Sequence, residues 1–344
     1  MSPSARHPVA FDRNATFLVT SEGTLVLVHD GGSEAPMFVH RMPADVVALA
    51  ADATHVTAID AEGNVHVFDA KDSLAREHRT GTPAFGGTAA RGRTVVVGES
   101  VTLFDASGAR TEIDVSGATC AALSDGTTLL VGTEDGALHA FDATNGKKLA
   151  KAELPGPAYG AAWSPRGHFV VTTKGGLGKV SADMTRVDPL CGTGDFQIGD
   201  VACSVDGLFA ACRVSDGRVI VFDVAKNVPV AMITYERETG GVAFGPSGWL
   251  AVALDLGDGN KIDLDTGAVH RTDPHEGRTR NRWVLLADVK TDKVAAARGK
   301  ASARVGSPIS APPAPIAPKG RGGAIVALGV AIAVVLVIFY LARA

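Results

Sequence analysis

Cysteine is scarce: four residues in 344, at positions 120, 191, 203 and 212, with no CxxC pair. A disulfide framework is therefore not what holds this chain together, and free, mostly buried thiols in a reducing compartment are expected. Cys203 and Cys212 flank one predicted hairpin, a placement open to a disulfide that nothing in the sequence signals. Net charge is only −4, so no basic field points to nucleic acid. The first twenty residues, MSPSARHPVAFDRNATFLVT, hold no long apolar run, and no secretory signal is expected.

Catalytic signatures are missing as well. There is no HExxH, no Walker loop and no GxSxG elbow. GTGDFQIGD, residues 192–200, is rich in glycine but has no strand-to-helix context for cradling phosphate. The ten histidines are scattered; His66 and His139 stand three residues before equivalent aspartates, which marks a structural repeat position rather than a metal ligand. The expectation is a chain that is not an enzyme, with no cofactor and no metal.

What the chain has is glycine, 40 residues of it, and 46% apolar residues, enough for a core cut by many tight turns. One phrase recurs: EGNVHVFDAKDSL, ESVTLFDASGART, DGALHAFDATNGKKL and DGRVIVFDVAKNVPV. Its aspartate falls at Asp30, Asp69, Asp105 and Asp142, then at Ala182 or Asp183, then at Asp223 and Asp263, 233 residues in six steps of about 39. A period of that size with strand-type alternation is the mark of propeller blades. Helical repeats of similar length need uninterrupted amphipathic helices, which Gly, Asp and Pro break here.

Each period also holds an earlier hairpin, as in GAAWSPRGHFVVTT, DVACSVDGLFAACR and GVAFGPSGWLAVAL, with turn glycines at 167, 207 and 248 and matching ones at 92 and 126. The unit reads strand A, turn, strand B, turn, strand C, Asp turn, strand D. Strands A to C are almost continuously apolar, as in strands covered on both faces. Strand D is more polar (SLAREHR, ARTEIDV, KKLAKAEL), as suits an exposed edge. Such sheets bury both flanks only against copies of themselves. The expected fold is all-β: a seven-bladed β-propeller of four-stranded antiparallel blades over residues 6–295. Its blades run to about 274, with an extra strand or hairpin at 278–295 that closes the ring, adds an outer strand or starts an incomplete blade. Asp30, Asp69, Asp105, Asp142, Asp223 and Asp263 are expected to bond backbone N–H groups of their own turns rather than form a carboxylate ring. Trp163 and Trp249 lie beside A–B turns, where packing between blades is favoured over a role as binding anchors.

AAWSPRGHFVVTTKGG and VACSVDGLFAACRVSDGRVIVFD resemble WD-repeat units, with Phe-Asp where that family usually has Trp-Asp. The resemblance covers most of residues 6–274. The Gly-His pair that opens many WD repeats is missing. AFDATNGKK is also similar to the repeat of quinoprotein-type propellers, although Ala150 or Ala152 stands where those carry a docking Trp.

From about Ala296 the pattern stops. Residues 296–321, with prolines at 308, 312, 313, 315 and 318, read as a linker reaching roughly 25–75 Å. Residues 322–342, GGAIVALGVAIAVVLVIFYLA, carry no charge; as a helix they would span roughly 30 Å, the thickness of a bilayer's hydrocarbon. Lys300, Arg304, Lys319 and Arg321 precede this segment and only Arg343 follows, so the positive-inside bias places the propeller in the cytoplasm on a single C-terminal tail anchor. Gly329 and Ala333 form a small-xxx-small pair, a possible helix–helix contact in a run where small residues are common. The basic residues Arg278, Arg280, Arg282, Lys290, Lys293, Arg298 and Lys300 form either a solvated surface or a patch for anionic headgroups.

The sequence thus points to a non-enzymatic interaction scaffold tethered to a membrane, with protein partners on a propeller face. The alternative is a regulatory or sensory propeller. It would be a nucleotide-exchange factor, similar to tail-anchored eukaryotic propellers that act on small GTPases, a propeller sensing a ligand in its central channel, or a quinone-binding, quinoprotein-like enzyme.

Overall fold

The computed structural model describes residues 8–255 apart from 12–16, 31–35, 53, 70–73, 125–126, 205, 215–217, 235–238 and 245–248; beyond 255 it describes only residues 269–271, 279–285, 289–290 and 304–305. All regular structure among them is strand.

Four sheets follow the predicted unit. The first is β1 (Val9–Phe11), β2 (Phe17–Glu22), β3 (Leu25–Asp30) and β4 (Pro36–Arg41), and the second β5 (Val46–Ala51), β6 (His55–Asp60), β7 (Asn64–Asp69) and β8 (Leu74–Arg79). The third is β9 (Ala84–Ala90), β10 (Arg93–Gly98), β11 (Val101–Phe104) and β12 (Arg110–Ile113), and the fourth β13 (Ala118–Leu123), β14 (Thr128–Thr133), β15 (Ala137–Asp142) and β16 (Lys148–Glu153). In each, strands pair antiparallel in chain order.

The next two periods fuse. β17 (Ala158–Ser164), β18 (His168–Val180), β19 (Val187–Cys203), β20 (Phe209–Val214), β21 (Arg218–Asp223) and β22 (Val228–Thr234) form one six-stranded sheet. β19 bridges the periods: residues 187–197 pair with β18, and residues 198–203 pair with β20. The glycine-rich segment 192–200 lies in this continuous strand.

The last large sheet departs from chain order. β23 (Thr239–Phe244) pairs with β24 (Trp249–Asp255), but the third strand is β26 (Thr279–Leu285), and β25 (Val269–Arg271) lies outside it. The segment expected as an extra strand therefore supplies the strand beside β24. A short ladder joins β27 (Val289–Lys290), in the stretch read as an extra strand or hairpin, to β28 (Arg304–Val305), in the stretch read as linker. Asp263, Lys319, Arg321, Gly329, Ala333 and Arg343 lie outside the described residues, as does the apolar segment 322–342. Among the described residues no helix is long and apolar enough to cross a membrane.

The core lies in slabs between neighbouring sheets. Val95, Val97, Leu103 and Ile113 of the third sheet pack on Leu123, Leu129, Val131 and Phe141 of the fourth. Leu130, Leu138 and Ala140 on the fourth sheet's other flank meet Phe169, Val171 and Val180. Similar slabs join the first sheet to the second and the second to the third. The phenylalanine of each Phe-Asp pair is an anchor of this packing: Phe68, Phe104, Phe141 and Phe222 are all buried. Outer strands alternate, with Met37, Val39, Leu74, Leu149 and Val228 open to solvent.

One expectation needs correcting. The first strands of the sheets are not covered on both faces: β5, β9 and β17 are mostly half-buried, because one side faces a cavity.

Candidate functional site

The first strands follow one another in space. β1 touches β5, β5 touches β9, β9 touches β13, β13 touches β17, β17 touches β19 and β19 touches β23; β23 in turn touches β1. They surround a cavity of about 190 Å³ whose wall takes residues from all seven. Small residues let the strands come this close. At Gly160 a Cβ would lie 2.6 Å from the Gly199 carbonyl oxygen and 3.4 Å from Asp200 Cα, so no larger residue fits without moving the backbone. Threonine hydroxyls fasten the same seams. Thr119 Oγ1 donates to the Ala158 carbonyl at 2.7 Å, and Thr172 Oγ1 to that of Gly199 at 2.8 Å.

Polar and aromatic groups interrupt the Gly, Ala and Val wall: Thr88, Thr119, Cys120, Tyr159, Asp200 and Phe85. Asp200 sits on β19, held there by the Thr172 bond to the preceding peptide. No hydrogen bond or ion pair reaches its carboxylate from the described residues. Burial pushes the Asp200 pKa upward, and the Arg213 charge nearby pulls it only part of the way back. Cys120, on β13, is pushed up to about 12 by burial, with Asp200 adding to the shift, so its thiol is protonated and unreactive at neutral pH. Both residues keep part of their surface open to the cavity. Water there tempers the shifts, while the protein on every other side sets their direction. Cys203 is likewise raised to about 12 by burial, and Cys120, Cys203 and Cys212 are all free thiols.

The turn aspartates stand elsewhere, at the far end of the third strands. Asp105 Oδ1 accepts from Ser107 N–H at 2.8 Å and Ala109 N–H at 2.9 Å. Asp142 Oδ1 accepts from Thr144 N–H at 2.8 Å, and its Oδ2 from Asn145 Nδ2 at 3.0 Å. Asp223 Oδ1 accepts from Ala225 N–H and Lys226 N–H at 3.0 and 2.9 Å, with Lys226 Nζ 2.9 Å from Oδ2. Asp183 accepts from Ser181 Oγ and Thr185 N–H, and these bonds hold its pKa down at about 2. Asp30 and Asp69 end β3 and β7. Among the described residues no three His, Cys, Asp or Glu side chains form a metal-binding group.

His66 and His139 differ in surroundings. His66 Nδ1 lies 3.0 Å from His40 Nε2 on the first sheet, whereas His139 stacks on Phe141 with centroids 6.2 Å apart. Trp163 packs edge-on against Phe169 at 4.7 Å, within the slab between the fourth and fifth units.

Two features were not singled out from the sequence. Asp200 is one of many Asp in Gly-containing stretches, and only the ring brings it to the axis. Asp60, at the β6–β7 turn, is fully buried and accepts from Glu62 N–H, Asn64 N–H and Asn64 Nδ2, and from Ala44 N–H in the preceding connection.

No known protein-family profile matches the chain, and no curated protein matches it in sequence. A solved structure does match in shape. The β-propeller domain of Myceliophteria thermophila Cps50 (Swd1) superposes with a TM-score of 0.66 at 15% identity, covering 82% of this chain and 97% of that one. The fold is a β-propeller. The slabs between its blades and the cavity at its axis follow directly, since each blade is covered by its neighbours and only the innermost strands face the hole.

Proposed function

We propose that this propeller has seven blades, is a divergent relative of the WD-repeat propellers, and serves as a non-enzymatic scaffold held at a membrane by residues 322–342. The observation that carries the scaffold reading is the run of seven innermost strands around one cavity, the last in contact with the first. A ring packed in this way is rigid, and its connecting loops vary without cost to the core. The two further parts of the reading, the tether and its orientation, rest on the uncharged apolar segment and on the positive residues Lys319 and Arg321 before it. A propeller tethered through a proline-rich linker raises the local concentration of a bound protein at the cytoplasmic face.

The test is a pull-down from detergent extract with full-length protein and with a variant lacking residues 322–344. The full-length chain is expected in the membrane pellet after alkaline carbonate extraction, with a stoichiometric protein partner. The truncated ring should be in the supernatant with the same partner. A full-length chain released by carbonate would refute the tether, and a ring that retains no protein in either form would refute the scaffold.

A further inference from the structure

We propose that the hydrogen bond between His40 and His66 is a latch on the seam between the first and second sheets, closed while the two rings carry at most one added proton and opened by the second. His40 stands on β4, the outer strand of the first sheet, and His66 on β7, the third strand of the second. Their facing nitrogens, His40 Nε2 and His66 Nδ1, lie 3.0 Å apart. At that distance one ring donates and the other accepts, so one of the two facing nitrogens carries no proton. The rings have little room to separate. His40 is half-buried, with its ring centroid 4.9 Å from that of Phe68 and 5.3 Å from that of His66. Phe68 in turn meets Phe38 of β4 edge-on at 5.9 Å, so the pair borders the apolar slab between the two sheets. His66 is 7% exposed, and its other nitrogen, Nε2, is buried with no hydrogen-bond partner among the described residues.

The charges around the pair allow one proton and oppose two. Glu77 of β8 faces His66 across the ladder and Asp60 stands at the β6–β7 turn, and both favour a charged His66. Arg79, also on β8, opposes it and pairs with Glu77 at 2.8 Å. His40 stands opposite Val26 of β3, which brings no charge, and beside the exposed Arg41 on its own strand. A first proton leaves an imidazolium donating to an imidazole, and the bond survives. A second leaves two donors and two like charges face to face at 3.0 Å, where protein screens them less than water would. Unfolded, both rings take up protons near pH 6.5. The folded pair binds fewer, so the latch holds above that value and is lost as pH falls through the lower, folded one. His139, the equivalent residue of the fourth sheet, stacks on Phe141, so the repeat position alone does not make the latch; the second histidine does.

The test is hydrogen–deuterium exchange of the full-length protein in detergent, read by mass spectrometry, with amide rates corrected for the intrinsic effect of pH. Between about pH 7 and about pH 5, the amides of β4 and β7 are expected to lose about tenfold more protection than those of β10 and β14, strands without histidine. In His40→Phe, which keeps a ring beside Phe68 and takes no proton, that extra loss should vanish. Exchange of the imidazole C2 hydrogens in the unmodified protein should show His40 and His66 titrating in two steps at least about one pH unit apart. No extra loss in β4 and β7, an extra loss that persists in a folded His40→Phe, or a single shared step for the two histidines would overturn the proposal. Should His40→Phe fail to fold, the contrast between strands and the two-step titration of the unmodified protein decide.

Discussion

At the scale of single residues, this propeller is held by short polar side chains that satisfy backbone groups at turns. Asp60 does the most, because it is buried and ties its own hairpin to the preceding connection through Ala44. Asp60→Ala would orphan those donors, and hydrogen bonds to charged groups contribute about 1.5–3 kcal/mol each. A loss of at least that size is expected in chemical denaturation, against a much smaller effect for Asp105→Ala at the surface.

Titration acts at the same scale. Burial lowers the pKa of His66, His78, His139 and His168, with His40 adding to the effect on His66 and Arg76 to that on His78. A histidine whose pKa is depressed on folding binds more protons when unfolded, so its contribution is present above pH 6.5 and is lost as pH falls through the folded value. The turn aspartates Asp105, Asp142, Asp183 and Asp223 are also depressed, by side-chain hydrogen bonds first, and act in the same direction below pH 3.8. Cys120 and Cys203 are raised from 9.0 to about 12, so stability is lost between those values as pH rises. Asp200 acts the other way, because burial raises its pKa: its contribution is regained as pH falls from the raised value towards 3.8, and offsets part of the histidine loss. With four histidines set against this one carboxylate, the melting temperature should be level from about pH 7 to 9, fall on the acid side, and fall again above 9. A melting temperature that rises between pH 6.5 and 5 would contradict this reading.

At the scale of the element, the sequence was most legible where packing and turn chemistry agree. DGALHAFDATNGKK gives a turn glycine, a strand and an Asp turn in the right order, and the fourth sheet has that form. The buried partner of the Asp is the Phe before it. Phe141 is 3% exposed and lies in the slab against the third sheet, so Phe141→Ala should cost about 3–5 kcal/mol. Urea denaturation would measure this, and a change below 1 kcal/mol would mean that the slab collapses around the gap. Three features were not legible. The fusion of the fifth and sixth units through β19 has no local signal, since KGGLGKVSADMT and GTGDFQIGD simply lack the usual phrase. The half-exposure of the innermost strands was hidden because Gly, Ala and Val suit both a covered strand and the wall of a narrow cavity. Asp200 was invisible for a related reason: its importance comes from the axis, a feature of the assembled ring that no single repeat contains.

At the scale of the whole molecule, the ring must close, and the chain closes it in an economical way. β1 belongs to the first sheet and β23 to the last, and they meet as neighbours without sharing a sheet. Among the described strands, those of the last sheet all come from beyond residue 238, and none is lent by the N-terminus. The seam therefore depends on the last sheet being complete. Its third strand is not the one that follows β24 in sequence but β26, whose seven residues pair with Trp249–Asp255 in unbroken register. A fragment ending at residue 274, where the regular period runs out, would strip β24 of that partner and leave its N–H and C=O groups open on an edge. A fragment ending at residue 295 would keep it and lose only β28 and the segments beyond. The 1–295 fragment is accordingly expected to melt cooperatively within a few degrees of the full-length protein, as a monomer by size-exclusion chromatography. The 1–274 fragment should melt well below it or aggregate, because the flank of β1 is then covered by an incomplete sheet. Equal melting temperatures for the two fragments would mean that β26 contributes nothing to closure and that the ring is sealed by the inner strands alone.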